Sequence, residues 1–512
     1  MQREKAMKHS VLFCAAAAVS LVALFAAPAA SAIEPVDAKV VTVPGDKPFD
    51  FGAEPVRYIE NDRVKLGLNL ALGGAVTYLE DKANQSGNMI NSADWGRQIQ
   101  LSYYSGPRPF IGPNGEKPSE SWAGLGWNPI QSGDCGGYRS QVLDFERVDE
   151  KTIFLRTRPM LWPHSGLPAE CRFECKYTLT DNGFTLDATI INRRSDKTFY
   201  GGSAQETPAV YTNAPWYKLV SYLGDKPYEN EPVTVVVDKG DGKGWPWTAY
   251  YCPEHWSALV NEKNFGIGVY QPFSALTIAG FAGQDSDKGL PLDEKAGPTG
   301  YIAPLETTIL DWNIKRTYRA TFVVGSVEEI RETVYKLAKK EIPAQPSWVF
   351  EFDRQNWSYV NATDSGFPIS NALPINLNPN AHGIAKSPLT FWKAKDASAL
   401  VIEAVFMDPD SNAPREDEIT VTLTPVSPYD FIDETERRNL NEARKSDPSV
   451  KEYPQLPEIS KAVPVKFDGS SHRLTVKLTD LEGYSGAFKQ LSITLPQRSG
   501  TAYIKRVEFI GK

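Results

Sequence analysis

Apolar and polar residues alternate in short runs from about Glu34 to Val324, the period of half-buried strands. The clearest pair is Cys171–Thr180 and Phe184–Ile191, where Phe184, Leu186, Ala188 and Ile190 alternate with Thr185, Asp187, Thr189 and Ile191. Asp181-Asn182-Gly183 between them predicts a tight hairpin turn, with Asn-Gly supplying positive φ. The same pattern predicts strands at Val64–Leu70, Ile153–Arg158, Val233–Val237, Trp256–Val260, Gly266–Tyr270, Thr308–Trp312 and Thr317–Val324. One helix breaks the rhythm, over Val327–Lys340. Val327, Ile330, Val334 and Leu337 share a face there, Ser326 and Glu329 form a capping box, and Lys336, Lys339 and Lys340 lie near its C-terminal end. Pro343 and Pro346 end it, and Glu341–Ser347 reads as a linker.

A second all-β region follows, opening at Trp348–Trp357. Its strands are predicted at Leu400–Phe406, Ile419–Thr424, Leu474–Leu478, Leu491–Leu495 and Ala502–Ile510. The charged, Pro-containing stretch 430–460 reads as an exposed loop with one helical turn near Glu434–Arg438.

The first 32 residues follow another logic. Arg3, Lys5 and Lys8 precede the apolar run Val11–Ala26, and Ala30-Ser31-Ala32 supplies small residues for cleavage, so a signal peptide ending near Ala32 is expected and, with it, a secreted or periplasmic protein. No later apolar stretch is long enough for a membrane span. The chain of 512 residues carries 55 basic and 63 acidic side chains, a net charge of −8, which opposes nucleic-acid binding. Pro and Gly at 38 each and aromatics at 11% favour turns and strands.

Cys135, Cys171, Cys175 and Cys252 follow the expected leader. On one strand Cys171 and Cys175 lie about 13 Å apart, beyond disulfide reach. Cys135 and Cys252 can each pair with one of them, or the thiols stay free. The spacing fits no zinc site, and Asp408–Asn412 departs from a calcium loop at Ala413, so neither metal nor cofactor is expected.

Eight of the twelve tryptophans fall between residues 95 and 256, about a third of the chain, several beside Gly or Pro. Trp127, Trp216, Trp245 and Trp247 are therefore expected on loops, where indole faces can stack on pyranose C–H faces; the alternative is that they plug the ends of a sandwich. Polar residues cluster among them. Asn91, Asp94, Arg97 and Gln100 can bond vicinal hydroxyls, or Asp94 and Arg97 can simply pair. Asn128, Gln131 and Asp134 follow Trp127 in a second polar segment. Glu206, in Gln205-Glu206-Thr207-Pro208 with Tyr211 nearby, is the first choice for a catalytic carboxylate on a loop. Glu254 and Asp94 are its candidate partners, with Asp134 a further carboxylate. His164 and His255 are candidate proton carriers, though each can equally be a buried structural histidine. Paired carboxylates suit glycoside hydrolysis. Arg97 with His255, His164 or Tyr211 would instead suit a uronate lyase.

Gly96-Arg97 after a strand, Ile190-Ile191-Asn192-Arg193 ending a middle strand, and Pro304-Leu305-Glu306 introducing a late one resemble the galactose-mutarotase-like β-supersandwich, over about residues 50–325. The Trp348/Trp357 opening and Tyr503–Ile510 closing strand are similar to jelly-roll carbohydrate-binding modules. Between the signal peptide (1–32) and the helix and linker (326–347) read above, the resemblance implies a catalytic supersandwich (33–325), and after them a jelly roll (348–512). The expected function is hydrolysis of a poly- or oligosaccharide. The alternatives are a polysaccharide lyase, a non-catalytic glycan binder and an epimerase; the oligomeric state is open.

Overall fold

The computed structural model describes residues 38–236, 247–283, 289–295, 297–409, 415–432, 434–450 and 452–511. The expected signal peptide and Trp245 lie outside these residues, as do positions 410–412 of the calcium-like segment. The protein is all-β with a small helical share. Among the described residues, an antiparallel sheet of nine strands and another of seven enclose the larger core, joined by a three-stranded sheet near the N-terminal end. Phe184, Leu186 and Phe322 enter that core from the nine-stranded sheet, and Val210, Tyr250, Phe281 and Ile302 from the seven-stranded one. The alternation predicts the strands, and their stacking in two large sheets is the sandwich architecture that the resemblance implies.

The hairpin forms as Cys171–Thr180 and Gly183–Asn192, with Asp181-Asn182 as the turn. The glycine is needed for a reason other than positive φ. Gly183 is already paired with Thr180, and a Cβ built on it would overlap the Phe322 carbonyl oxygen of the next strand. Close strand approach, rather than turn geometry, selects glycine here. Phe184 and Phe322, opposite in register, stack with ring centroids 4.2 Å apart.

The helix spans Val327–Glu341 with the capping box in place: Ser326 Oγ accepts from the Glu329 amide, and Glu329 returns a carboxylate to the Ser326 amide. It lays Val327, Ile330 and Val334 on Val220, Ala258, Val260 and Val323, on the side of the nine-stranded sheet away from the larger core.

Residues 347–511 supply a second core between two six-stranded sheets, filled by Trp348, Trp357, Trp392, Phe488 and Phe509. Such paired antiparallel sheets are compatible with a jelly roll. A buried guanidinium links this region to the first. Arg354 donates to both carboxylate oxygens of Asp364 and, across the junction, to Asp311; all three side chains are almost fully buried.

Three expectations need correction. Residues 203–213 form a strand through Glu206 and Pro208 rather than a loop, and the register shift between Glu206 and Val210 absorbs the ladder donor that proline lacks. The late strand runs over Thr299–Thr308, earlier than Thr308–Trp312. Finally, Glu434–Ser446 is a full helix rather than one turn: Glu, Arg and Ala favour helix even without an apolar face. All four described cysteines are free thiols, with Cys171 and Cys175 buried on one strand. Among the described residues no helix is long and apolar enough to cross a membrane.

Because Arg354 is the shared partner of two buried carboxylates, Arg354→Met is expected to cost about 3–5 kcal/mol. Urea unfolding monitored by tryptophan fluorescence measures it, and a loss below about 1 kcal/mol would show that the pair is not the fastening it looks.

Candidate functional site

The strand Ser203–Asn213 lies between Thr299–Thr308 and Gln100–Ser102 in the seven-stranded sheet. Strand alternation sends neighbouring side chains to opposite faces. Gln205 is fully buried and clamps the backbone of Tyr104: its Oε1 accepts from the Tyr104 amide at 2.7 Å and its Nε2 donates to the Tyr104 carbonyl at 3.0 Å. Glu206 emerges on the other side, opposite Ser102 and Leu305 in register.

That second face carries its own apolar cluster, separate from the larger core. Ala209, Trp247, Ile278, Tyr301 and Ala303 form it, with Tyr211 and Leu305 packed against them. The Tyr301 ring lies 4.7 Å from Tyr211 and 4.8 Å from Trp247. Tyr301 donates its hydroxyl to Glu206 Oε1 at 2.5 Å. Ser102 Oγ and the Tyr104 hydroxyl, 3.1 Å apart, complete the polar surround of the carboxyl.

Burial raises the Glu206 pKa, and the hydroxyls of Tyr301, Ser102 and Tyr104 pull it back without cancelling the rise. Burial likewise lifts Tyr301 and Tyr104 well above the ordinary phenol value, with Glu206 adding to the lift. Tyr211 is raised by burial and by Glu206, against the opposing pull of Arg97. The phenols therefore remain protonated donors. The arrangement can hold a proton on Glu206 and receive the carboxylate once that proton leaves.

Arg97 stands beside Tyr211 and pairs with Asp94 at 2.9 Å; its side chain is 30% exposed and that of Asp94 8%. Asp94, Arg97, Tyr211, Trp247 and Glu206 thus belong to one neighbourhood. The other sequence candidates do not. Glu254 is sealed beneath the helix, accepting from the Tyr228 amide, the Trp256 indole and the Tyr335 hydroxyl, with Arg331 at 3.6 Å. His255 is buried beside it at φ 60°, and desolvation pulls its pKa to about 4, so it is neutral at pH 7. His164 is buried against Phe110, its Nε2 3.1 Å from the Phe110 carbonyl, and burial lowers its pKa.

The polar loop residues mostly build turns. Asn91 Oδ1 accepts from the amides of Ala93 and Asp94, and Gln100 joins Gly96 to Ser132. Asn128 holds the Tyr103 carbonyl, and Gln131 holds Leu101 and Gly73. Asp134 accepts three backbone amides, from Gly136, Tyr138 and Gly166, while burial raises its pKa to about 6. Most of the tryptophans are core residues, contrary to the expectation of exposed loop rings. Trp127 and Trp216 fill the larger core, and Trp95 and Trp162 a smaller one. Gly96 leaves room for the Trp162 ring, 2.7 Å from where its Cβ would stand. Glycine beside tryptophan thus marks a chain folded back over the sandwich end. Of the described tryptophan candidates, Trp247 joins the face that carries Glu206.

Sequence reasoning misses Tyr301 and Ser102. Tyr301 sits 95 residues beyond its carboxylate partner, and only strand pairing brings the two together. A surface concavity of about 630 Å³ lies elsewhere, between Asp225–Lys226 and Lys393–Lys395, where Lys393 pairs with Glu229 and Lys226 with Glu231.

No protein-family model matches the chain, and no curated protein matches it either. Among solved structures, 52% of this chain is similar to 99% of a galactose mutarotase-like protein from Lactobacillus casei, at 14% identity and a TM-score of 0.35. A galactose mutarotase related enzyme from Lactobacillus acidophilus is similar over 53% of this chain and 97% of its own, at 14% identity and 0.32. The 4-alpha-glucanotransferase from Thermococcus litoralis is similar over 55% of this chain and 40% of its own, at 13% identity and 0.29. Likeness at this level assigns no chemistry to any residue here.

Two outcomes follow from the geometry. Glu254→Ala takes the carboxylate away from Arg331 and leaves the Tyr228 amide, the Trp256 indole and the Tyr335 hydroxyl without their acceptor, and a loss of about 3–5 kcal/mol is expected in denaturant titration. Glu206 behaves oppositely. Its folded pKa lies above the unfolded value near 4.5, so its contribution to stability is best below that value and declines as pH rises through the folded pKa. Glu206→Gln should therefore raise Tm at pH 8 and leave it nearly unchanged at pH 4; calorimetry at both pH values checks the sign.

Proposed function

We propose that this protein is a carbohydrate-active enzyme that seats a saccharide against the face of the seven-stranded sheet that carries Glu206 and uses Glu206 as general acid. The observation that carries this reading is the Glu206 carboxyl set among Tyr301, Tyr211 and Trp247, its pKa raised by burial. Aromatic faces suit pyranose C–H surfaces, and a carboxyl whose pKa is raised by burial suits protonation of a leaving oxygen.

Hydrolysis of a glycosidic bond is the reaction of first choice. Glu206 gives its proton to the leaving oxygen, and the carboxylate formed is received by the hydroxyls of Tyr301, Ser102 and Tyr104. Asp94 is the second carboxylate of this reading, since Glu254 is engaged beneath the helix. It either draws a proton from the attacking water or attacks the anomeric carbon itself. Arg97 orients Asp94 and presents donors to sugar hydroxyls. Tyr211, held protonated, is a donor rather than the base that β-elimination needs. The pattern of the first 32 residues supports a site of action outside the cytoplasm.

The test is a polysaccharide and oligosaccharide panel read by product chromatography. Wild type should release reducing sugar, and Glu206→Gln should lower kcat by about 10²–10⁴. Undiminished turnover in that variant, or a product carrying a new double bond, overturns the hydrolase assignment. Tyr301→Phe removes a bond that favours the carboxylate, so the Glu206 pKa rises further and the alkaline limb of the rate profile should move to higher pH. A shift downward contradicts the assigned role of Tyr301.

A further inference from the structure

A concavity of about 200 Å³ opens between the segment that follows Tyr104 and the segment that leads into the Glu206 strand. It is small against the roughly 300–1,000 Å³ of pockets for drug-sized ligands, and so has room for one six-membered ring rather than several. Pro107, Pro109 and Ile111 give it an apolar lining, and Ile111 is 47% exposed, which leaves C–H surface free for a ligand to cover. Glu170, Ser195, Asp196 and Tyr200 supply the polar lining. The hydroxyl donors among them are already spent: Ser195 donates to Glu170 Oε2 at 2.9 Å, and Tyr200 donates to Asp196 Oδ2 at 2.5 Å. Among the described residues nothing donates to Glu170 Oε1.

These side chains offer acceptors, so the ligand must bring the donors. Arg194, itself buried and outside the lining, lies over the Tyr200 ring at 4.6 Å. Its charge opposes an ammonium ligand, and the two lining carboxylates oppose an anion. What satisfies both walls is a neutral polyol with an apolar face. We infer that this concavity is a saccharide site separate from Glu206, and that it takes one neutral pyranose unit, with its C–H face on the Pro109 and Ile111 side and adjacent hydroxyls donated to Glu170 and Asp196. Tyr200 precedes Glu206 by six residues, which at no more than about 3.6 Å per residue puts the site within about 22 Å of the Glu206 backbone. It makes no use of Glu206, and a sugar fills it whether or not Glu206 is a general acid.

The test is methyl NMR on the full chain with labelled isoleucine, the Ile111 signal being assigned by its loss in Ile111→Val. The probes are the methyl glycosides of glucose, galactose, mannose and xylose, beside methyl glucuronide and methyl glucosaminide. At least one neutral glycoside should shift the Ile111 methyl with a Kd of about 1–10 mM. The glucuronide and the glucosaminide should each bind at least about 10-fold more weakly than that sugar. Glu170→Ala and Asp196→Ala should each weaken the neutral sugar by about 10-fold, and Glu206→Gln should leave its Kd unchanged. No shift at Ile111 with any neutral glycoside would overturn the inference, as would a charged sugar binding as tightly as the best neutral one, or an affinity unchanged in both Glu170→Ala and Asp196→Ala. The wild-type titrations decide the matter even where a variant fails to fold. Failure of the Glu206 assignment shows separately, as polysaccharide turnover persisting in Glu206→Gln.

Discussion

The site depends on one polar contact made on the buried side of a strand. Gln205 spends both ends of its amide on the Tyr104 main chain, and this fixes the distance between two segments 101 residues apart. Because side chains alternate, the residue that follows Gln205 must emerge on the opposite face, beside the Tyr104 hydroxyl. Placement of Glu206 among phenols thus follows from a bond it does not make. The register shift at Pro208 then resets the strand so that Ala209 and Tyr211 also reach that face.

A carboxyl in such a place is held under tension between two effects. Apolar rings withdraw water and disfavour the charge, whereas three hydroxyls favour it. Burial prevails, and stability is given up at neutral pH in return for a group able to exchange a proton, as is common at functional sites. Glu254 shows the opposite solution in the same molecule: each of its oxygens is bonded, an arginine stands alongside, and the helix is anchored by the result.

Much of the fold is legible in the sequence because period-two alternation and a capping box are local signals. The 171–192 hairpin and the Val327–Glu341 helix both follow from a dozen or so adjacent residues. Glu206 and Tyr211 are also visible as unusual side chains near a proline. What is not legible is which side of the chain is wet. Trp127, Trp162 and Trp216 sit beside polar or turn-forming residues and look like loop residues, yet an indole covers so much apolar area that folding the turn inward prevails. Tyr301 and Ser102 are hidden for another reason, since only sheet pairing reveals that they flank Glu206.

The account stands or falls on the ionisation of one group. Carbon-13 NMR titration of the Glu206 carboxyl, assigned by difference against Glu206→Gln, measures it directly in the intact chain. The structure predicts a midpoint clearly above the ordinary value of 4.5. A midpoint at or below that value would mean that the hydroxyls outweigh burial, and Glu206 would then be an ordinary carboxylate rather than a proton donor.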